Sequence, residues 1–193
     1  MINLNEVAEE IREILEQKRN EYELSFIEDD HIYFMRDVDG KYRNDFPSVS
    51  KLLKKFYDEF PAEEIAYNKA KGDRVETQRL LDEWKAAGDY ASNMGSRVHF
   101  NLEKEVISRY GNFKSVREPI FECDLGQITK GDSMINAGKK YLNLSEQRNL
   151  VLLDTEIVLG DPDLGYVGQP DKVWLVENKQ GTDYGILITD WKT

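Results

Sequence analysis

GYVGQPDKVWLVENKQGTDYGILITDWKT, residues 165–193, is the segment from which the architecture of the chain is predicted. Residues 166–176 are largely apolar and aromatic, and a cluster of turn-forming residues follows at positions 177–183. The run 186–189 is rich in β-branched and apolar residues, which favours a second strand. The segment therefore predicts two strands joined by a polar turn.

Three of the charged residues in this segment form a pattern that packing does not predict: Asp171, directly after Pro170, and Asp190 and Lys192 at the end of the second strand. Because strand side chains alternate between faces, Asp190 and Lys192 project together and Trp191 points away. If the two strands pair, Asp171 reaches the same face. A charge in an apolar sheet is costly unless it is paired or metal-bound, and carboxylates suit Mg²⁺ or Mn²⁺. The pattern predicts a divalent-cation site; the alternative is a salt-bridged hairpin.

The spacing of these residues resembles a known nuclease family. Pro170-Asp171, eighteen intervening residues and Asp190-Trp191-Lys192 are similar to the PD-(D/E)XK nuclease superfamily. The strings GQPDKVW and ILITDWKT resemble its RecB-like exonuclease branch, especially phage exonucleases and the mitochondrial genome-maintenance exonuclease. The resemblance covers residues 95–193, with a weaker likeness at PSVSKLL, residues 47–53. It implies a restriction-endonuclease-like core and a metal-dependent DNA hydrolase.

The resemblance also implies a role for each candidate residue. Asp171 and Asp190 would hold Mg²⁺ or Mn²⁺, and the Trp191 carbonyl would help to complete the metal shell. Lys192 would orient and activate the attacking water and stabilise the charge that develops on the phosphate. Gln169 would help to hold the phosphate or a metal-bound water.

A predicted helix upstream carries two further candidates, His99 and Glu103. They are four residues apart and therefore share one helix face, beside the apolar row of Val98 and Leu102. One interpretation is a His–Glu pair at the margin of the core. Together with Gly95, they also match the first motif of RecB-like nucleases. In those relatives the His is a metal ligand and the Glu lies near the site, so the resemblance implies both roles here.

Glu156 lies in a predicted buried strand, NLVLLDTEIVL, residues 149–159. A carboxylate is out of place there unless it is paired or ligating. Glu156 also resembles the glutamate often found one strand before the Pro-Asp in this branch. It is therefore a further candidate metal ligand.

The remaining elements follow from periodicity and from cap and turn residues. We predict a helix at 3–21, a hairpin at 24–46 and a short helix capped by Ser48. Between residues 61 and 110 we predict three helices: the first ends at Gly72, the second ends at Gly88, and the third begins at Gly95. A strand within 111–126 and a helix at 132–144 follow. The predicted fold is α/β (or α+β), with a mixed central sheet flanked by helices.

One face of the short helix shows Lys51, Lys54 and Lys55. It is either a solvated face or a contact to nucleic-acid phosphates, and the sequence leaves both open. The net charge of −11 points against nucleic acid, because proteins that neutralise phosphates usually show a basic face. Residues 36–55, however, hold six Lys or Arg against three Asp, so a local basic patch is expected.

Length and composition restrict the class of protein. The 193 residues suit one domain, with an N-terminal part at 1–92 and a nuclease core at 93–193. Cys123 is the one cysteine, which excludes an internal disulfide and a four-cysteine iron–sulfur cluster and suits a reducing cytoplasm. No long apolar run predicts a membrane span, and the N-terminal residues do not resemble a secretory signal.

The sequence therefore predicts a metal-dependent DNA exonuclease of phage recombination, replication or repair, in the host cytoplasm if it is phage-encoded. Relatives continue past the Lys with a Gln-bearing helix, whereas this chain ends at Thr193, so we expect an incomplete core and uncertain activity. Two alternatives stay open. One is a non-catalytic module that docks to DNA or to a phage recombination or replication protein; the other is an endonuclease or junction resolvase.

Overall fold

Helices and short antiparallel strands make up the computed structural model, which describes residues 3–27, 30, 32–111, 121–178 and 180–192. The elements are α1 (Leu4–Glu21), β1 (Ser25–Ile27), β2 (Ile32–Arg36), β3 (Tyr42–Arg43), α2 (Val49–Leu53), α3 (Ala62–Lys69), α4 (Arg74–Tyr110), α5 (Leu125–Gln147), β4 (Val151–Thr155), β5 (Leu159–Asp161), β6 (Tyr166–Gly168), β7 (Lys172–Glu177) and β8 (Tyr184–Thr189). This content is that of an α+β protein, as predicted.

The chain divides into two units, which are described separately. The first comprises Met1–Tyr57, Tyr110–Phe113 and Leu142–Trp191, and the second comprises Asp58–Arg109, Lys114–Tyr141 and Lys192–Thr193. The border that the sequence suggested, between residues 92 and 93, lies inside the continuous helix α4.

The main sheet of the first unit has the strand order β4-β7-β8, with β7 in the centre. Both of its ladders are antiparallel, so the strands in the described residues do not form the mixed sheet that we predicted. Only six residues separate β7 from β8, and so short a connection favours antiparallel pairing. The strand β7 is buried, and Trp174 and Leu175 are fully inaccessible, whereas β8 is an exposed edge strand.

Helix α1 covers one face of this sheet. Its N-cap is Asn3, whose side chain accepts a hydrogen bond from the backbone N–H of Asn5. Ala8 on α1 packs into the core cluster with Leu153 and Val173. Arg12 adds a polar attachment, because its guanidinium donates to the Leu152 and Leu153 carbonyls, where the β4–β7 register shifts.

The strand that the sequence predicted over residues 166–176 is divided into β6 and β7. Pro170 lacks a backbone N–H and cannot donate to a ladder, so pairing stops at residues 169–171. Before the break, β6 pairs with β5 in a hairpin. In its turn, the Asp161 carboxylate accepts hydrogen bonds from the N–H groups of Asp163 and Leu164.

A second three-stranded sheet of the first unit is β1-β2-β3, and it contains the hairpin predicted at 24–46. Gly40 lies in its turn with φ +76°, and its N–H donates to the Asp37 carbonyl. The following helix α2 begins at Ser48, whose hydroxyl accepts a hydrogen bond from the Lys51 N–H at 3.2 Å. The predicted cap of this helix is therefore confirmed.

The second unit is helical in its described part. Helix α4 runs for 37 residues through Gly88 and Gly95, so the predicted end and restart of a helix at these positions are wrong. A glycine inside a helix costs only about 1 kcal/mol. Packing offsets that cost, because Val98 and Leu102 on α4 are buried and the Leu102 side chain fills the space beside Gly138 of α5.

Helix α5 begins at Leu125, seven residues before the predicted start. The residues before it form a capping box that the sequence analysis overlooked. The Asp124 carboxylate accepts from the Gln127 N–H at 2.7 Å, and the Gln127 side-chain oxygen accepts from the Asp124 N–H at 2.8 Å. The strand predicted within 111–126 falls largely outside the described residues.

None of the helices in the described ranges combines the length and the apolar character that crossing a membrane requires.

Candidate active site

Asp171 and Asp190 are neighbours at one end of the β7–β8 ladder. The last pair of that ladder is Lys172 with Thr189, and the two aspartates are the next residues outward on their respective strands. Directly opposed residues of an antiparallel pair point to the same face of the sheet. Extended by one residue beyond its last pair, the register puts both aspartates on one face, the face of Val173 and the α1 core. On that face Asp171 is buried and Asp190 is exposed.

Asp171 is held tightly although it lies outside the ladder. It is 7% exposed, and its carboxylate accepts a hydrogen bond from the backbone N–H of Trp191. Its carbonyl accepts two more, from the Glu156 N–H at 3.0 Å and the Thr155 hydroxyl at 2.8 Å. A buried carboxylate needs such donors. Its backbone and side chain are therefore both fixed.

The opposite face of the same ladder end carries Lys172, which is 1% exposed. The Lys172 Nζ lies 3.4 Å from the centroid of the Trp191 ring, close enough for a cation–π interaction. Trp174 lies on this face as well and donates from Nε1 to the Thr189 hydroxyl at 2.9 Å. The Tyr110 ring meets Trp174 edge-on, with centroids 5.7 Å apart. Residues 189–191 are thus attached to β7 on both faces of the sheet.

Lys172 was not among the residues predicted for this site. The one signal in the sequence was a lysine directly after Asp171, inside an apolar run. A lysine at such a position indicates that the sheet contains a charge, but the sequence does not predict on which face of the sheet its side chain lies.

Gln169 and Glu156 hold the loop that contains Asp171 through hydrogen bonds to backbone atoms. The Gln169 side-chain Nε2 donates to the Glu156 carbonyl at 3.1 Å. Glu156 has a positive φ of 49° and lies just after β4, not inside a strand as predicted. The left-handed conformation ends the strand there. Burial and, to a smaller extent, the charge of Glu156 raise the pKa of Tyr33.

His99 and Glu103 lie one turn apart on α4, in the second unit. Both are half-buried beside the buried Val98 and Leu102, in the positions that helical periodicity predicts. Lys192, which is exposed, is also assigned to the second unit. Within the ranges that the structure describes, no three His, Cys, Asp or Glu side chains form a group that could hold a metal ion. The roles of His99 and Glu103 stay predictions.

The predicted basic face is exposed on α2 and the 3₁₀ turn that follows it at Lys54–Phe56. Lys51, Lys54 and Lys55 all reach solvent. The helix is attached to the β5–β6 hairpin, because Ser48 forms a parallel bridge with Val167.

Comparison of the chain with family models, with curated proteins and with solved structures finds no match in any of the three.

Proposed function

We propose that this chain is a Mg²⁺- or Mn²⁺-dependent DNA exonuclease with the restriction-endonuclease-like core of the RecB-like PD-(D/E)XK nucleases. One observation carries the proposal: the β7–β8 register brings Asp171 and Asp190 together at the end of an apolar sheet. Two carboxylates so placed repel each other unless a cation or a proton lies between them. The Pro-Asp and Asp-x-Lys spacing supports the same reading.

The donor set at this end suits a hard divalent cation. Mg²⁺ usually keeps several waters and binds through one or two carboxylates, so two aspartates are sufficient. The Asp171 carboxylate offers about four acceptor positions, and the Trp191 N–H takes one of them. The bond to Trp191 also fixes the orientation of the carboxylate, which a metal ligand requires.

The other residues have roles that follow from their places in the chain. A bound cation would make its water more acidic and neutralise charge on the phosphate. Lys192, two residues after Asp190, would orient the attacking water and hold the phosphate. Lys172 and Trp191 act as positioning residues, because their stack keeps the chain from Thr189 to Trp191 against β7. His99, Glu103, Gln169 and Glu156 stay candidates for the roles that the family resemblance implies.

Cleavage of end-labelled linear DNA, compared with a covalently closed circle of the same sequence, tests the proposal. With Mn²⁺ or Mg²⁺ we expect shortening of the linear DNA and no loss of the circle, and EDTA should stop the reaction. Lys192→Ala should lower the rate about 100-fold or more, as expected for loss of a positioned electrostatic group. Cleavage of the circle would indicate an endonuclease or junction resolvase instead, and full activity of Lys192→Ala would refute the role of this lysine.

A non-catalytic binding module is the second candidate, and one observation favours it. The buried Asp171 carboxylate already serves to attach the Trp191 backbone, which is a sufficient structural reason for an acid at this position. The acidic net charge of −11 agrees with a protein partner better than with DNA. Binding of a partner without cleavage under any divalent metal would select this candidate.

A further inference from the structure

The segment at residues 51–57, KLLKKFY, carries an exposed surface that the proposed active site does not use. We call it the Lys–aromatic face and define it by Lys51, Lys54, Lys55, Phe56 and Tyr57. Phe56 and Tyr57 are each 74% exposed, and the three lysines reach solvent as well. Large rings usually bury most of their surface, so two adjacent rings this exposed, set among lysines, indicate a contact surface.

The lysines of this face differ from the arginines nearby. Arg36 is paired with Glu23, and Arg43 with Asp37 and Asp45. Among the described residues, no carboxylate forms an ion pair with any of the three lysines of the Lys–aromatic face. Residues 46–57 also contain no acid. On a chain with a net charge of −11, this face is therefore a local positive surface that is complementary to an anion.

The helix that carries the start of the Lys–aromatic face packs on the strand that leads to the candidate active site within the first unit. An ideal Cβ at Gly168 would lie 3.2 Å from the Val49 Cγ2, so the start of α2 sits directly on the end of β6. Gly168 is three residues before Asp171, a stretch of chain that spans at most about 11 Å. The N-terminal end of α2 therefore lies near the loop that contains Asp171.

We propose that the Lys–aromatic face binds single-stranded nucleic acid, with phosphates on Lys51, Lys54 and Lys55 and bases stacked on Phe56 and Tyr57. A positively charged track with aromatic rings is the usual way to hold a single strand without reading its sequence. Bases of a duplex are paired inside the stack, where exposed rings do not reach them. The choice of nucleic acid rests on the proposed function, because the strand would lead to the Asp171–Asp190 end.

Fluorescence anisotropy of labelled oligo(dT), measured in EDTA, tests binding apart from cleavage. Phe56→Ala together with Tyr57→Ala should weaken the affinity about 25-fold or more, since stacking on each ring contributes about fivefold at the least. A separate variant in which Lys51, Lys54 and Lys55 are all changed to Gln should weaken the affinity for oligo(dT) more than the ring variant does. This lysine variant should also make the slope of log K against log salt less negative by about 2, because each contact to a single strand contributes about 0.7.

Matched variants separate this face from general effects of charge and aromatic content. Lys85, Lys130 and Lys140 are exposed lysines on α4 and α5, and changing all three to Gln removes the same number of positive charges. Tyr184→Ala removes a 45% exposed ring from β8. Both controls should leave the affinity for oligo(dT) within about twofold of the unmodified chain, since exposed groups outside the contact contribute little.

The proposal is overturned if the control lysines matter as much as those of the face, or if the ring variants bind oligo(dT) unchanged. It is also overturned if the ring variants lose only binding to vesicles of anionic phospholipid, or only self-association in sedimentation, since the occupant is then a membrane or a second copy. Its failure is distinguishable from that of the nuclease proposal. If oligo(dT) binds in EDTA only when the Lys–aromatic face is intact, and no DNA is cleaved in Mn²⁺, the face proposal is supported and the nuclease proposal is refuted. If DNA is cleaved in a metal-dependent way and the ring variants bind oligo(dT) unchanged, the nuclease proposal is supported and the face proposal is refuted.

Discussion

The two ends of the β7–β8 ladder both carry a pair of acids, yet their surroundings differ. At one end Asp171 and Asp190 flank the last pair, and at the other Glu177 closes β7 while Asp183 precedes β8. Glu177 and Asp183 are exposed, and so is Asp190, whereas Asp171 is 7% exposed. The two ends therefore differ in the burial of one acid. A carboxylate in water needs no explanation, but a buried one does.

Hydrogen bonding at the exposed end is that of an ordinary turn. The Asn178 N–H donates to the Asp183 carbonyl, and the Asp183 carboxylate accepts from the adjacent Tyr184 N–H. All of these bonds are local. At the buried end, by contrast, the Asp171 carboxylate reaches across to the backbone of Trp191, twenty residues away in the chain. The exposed end therefore serves as an internal control for the buried one.

The largest expected difference between the two ends is in catalysis. Asp171→Asn keeps a side-chain oxygen that accepts the Trp191 N–H but removes the negative charge, so metal-dependent cleavage should fall about 100- to 1,000-fold. Asp183→Asn makes the same change at the exposed end and should cleave like the unmodified chain. Initial rates on linear DNA in Mn²⁺ give the comparison. Equal loss in both variants would show that the two ends do not differ in function.

The second largest difference between the two ends of the ladder should be in how much packing contributes to stability. Trp174→Ala removes a fully buried side chain that contacts Tyr110 and Thr189, and should lower the free energy of unfolding by about 3–5 kcal/mol. Tyr184→Ala, near the exposed end of the same ladder, should cost less than about 1 kcal/mol. Urea titration followed by circular dichroism measures both values. A cost for Trp174→Ala below that of Tyr184→Ala would contradict the described core.

A smaller effect is expected from one hydroxyl. Thr189→Val keeps the shape of the side chain but removes the acceptor for the Trp174 Nε1, and should cost about 1–3 kcal/mol because a buried donor loses its partner. Thr182→Val removes the acceptor for the Asn178 amide in the exposed turn, where water replaces it, and should cost about 0.5 kcal/mol or less. The same urea titration distinguishes them.

The smallest effect concerns the charge beside the buried end. Burial and then the Glu156 charge raise the pKa of Tyr33 above its usual value of about 10. Since the unfolded tyrosine ionises first, the stability contributed by neutral Tyr33 is present below about pH 10 and is lost as the pH rises through the folded pKa. Glu156→Gln should lower this pKa part of the way, because burial remains. Titration of the tyrosines by NMR measures it, with Glu177→Gln as a control that should leave Tyr33 unchanged.

The sequence was sufficient to predict those elements whose formation depends on residues close together in the chain. Helix α1, the hairpin at 24–46 and the Ser48 cap of α2 were predicted because capping and turn formation need only a few adjacent residues. Helix α4 was not predicted as one helix, because Gly88 and Gly95 carry a local stop signal. At Gly95, which is buried, tertiary packing outweighs that signal. The strand break at Pro170 had a local cause too, but the apolar residues on both sides suggested continuity.

The candidate site was predictable only in part. Because β7 and β8 are adjacent in sequence, pairing them places Asp171 opposite Asp190. The burial of Lys172 under Trp191 could not be predicted, since a lysine is ordinarily a surface residue and its face depends on where pairing begins. His99 and Glu103 lie far away in sequence, and no local pattern relates them to the sheet.

We propose that the Asp171–Asp190 end binds a divalent cation and that the Glu177–Asp183 end does not. Calorimetric titration of the chain with Mn²⁺ distinguishes the two ends. We expect one binding event that Asp171→Asn and Asp190→Asn each abolish, while Glu177→Gln and Asp183→Asn leave it in place. Unchanged Mn²⁺ binding in Asp171→Asn, or loss of binding in Asp183→Asn, would contradict the account.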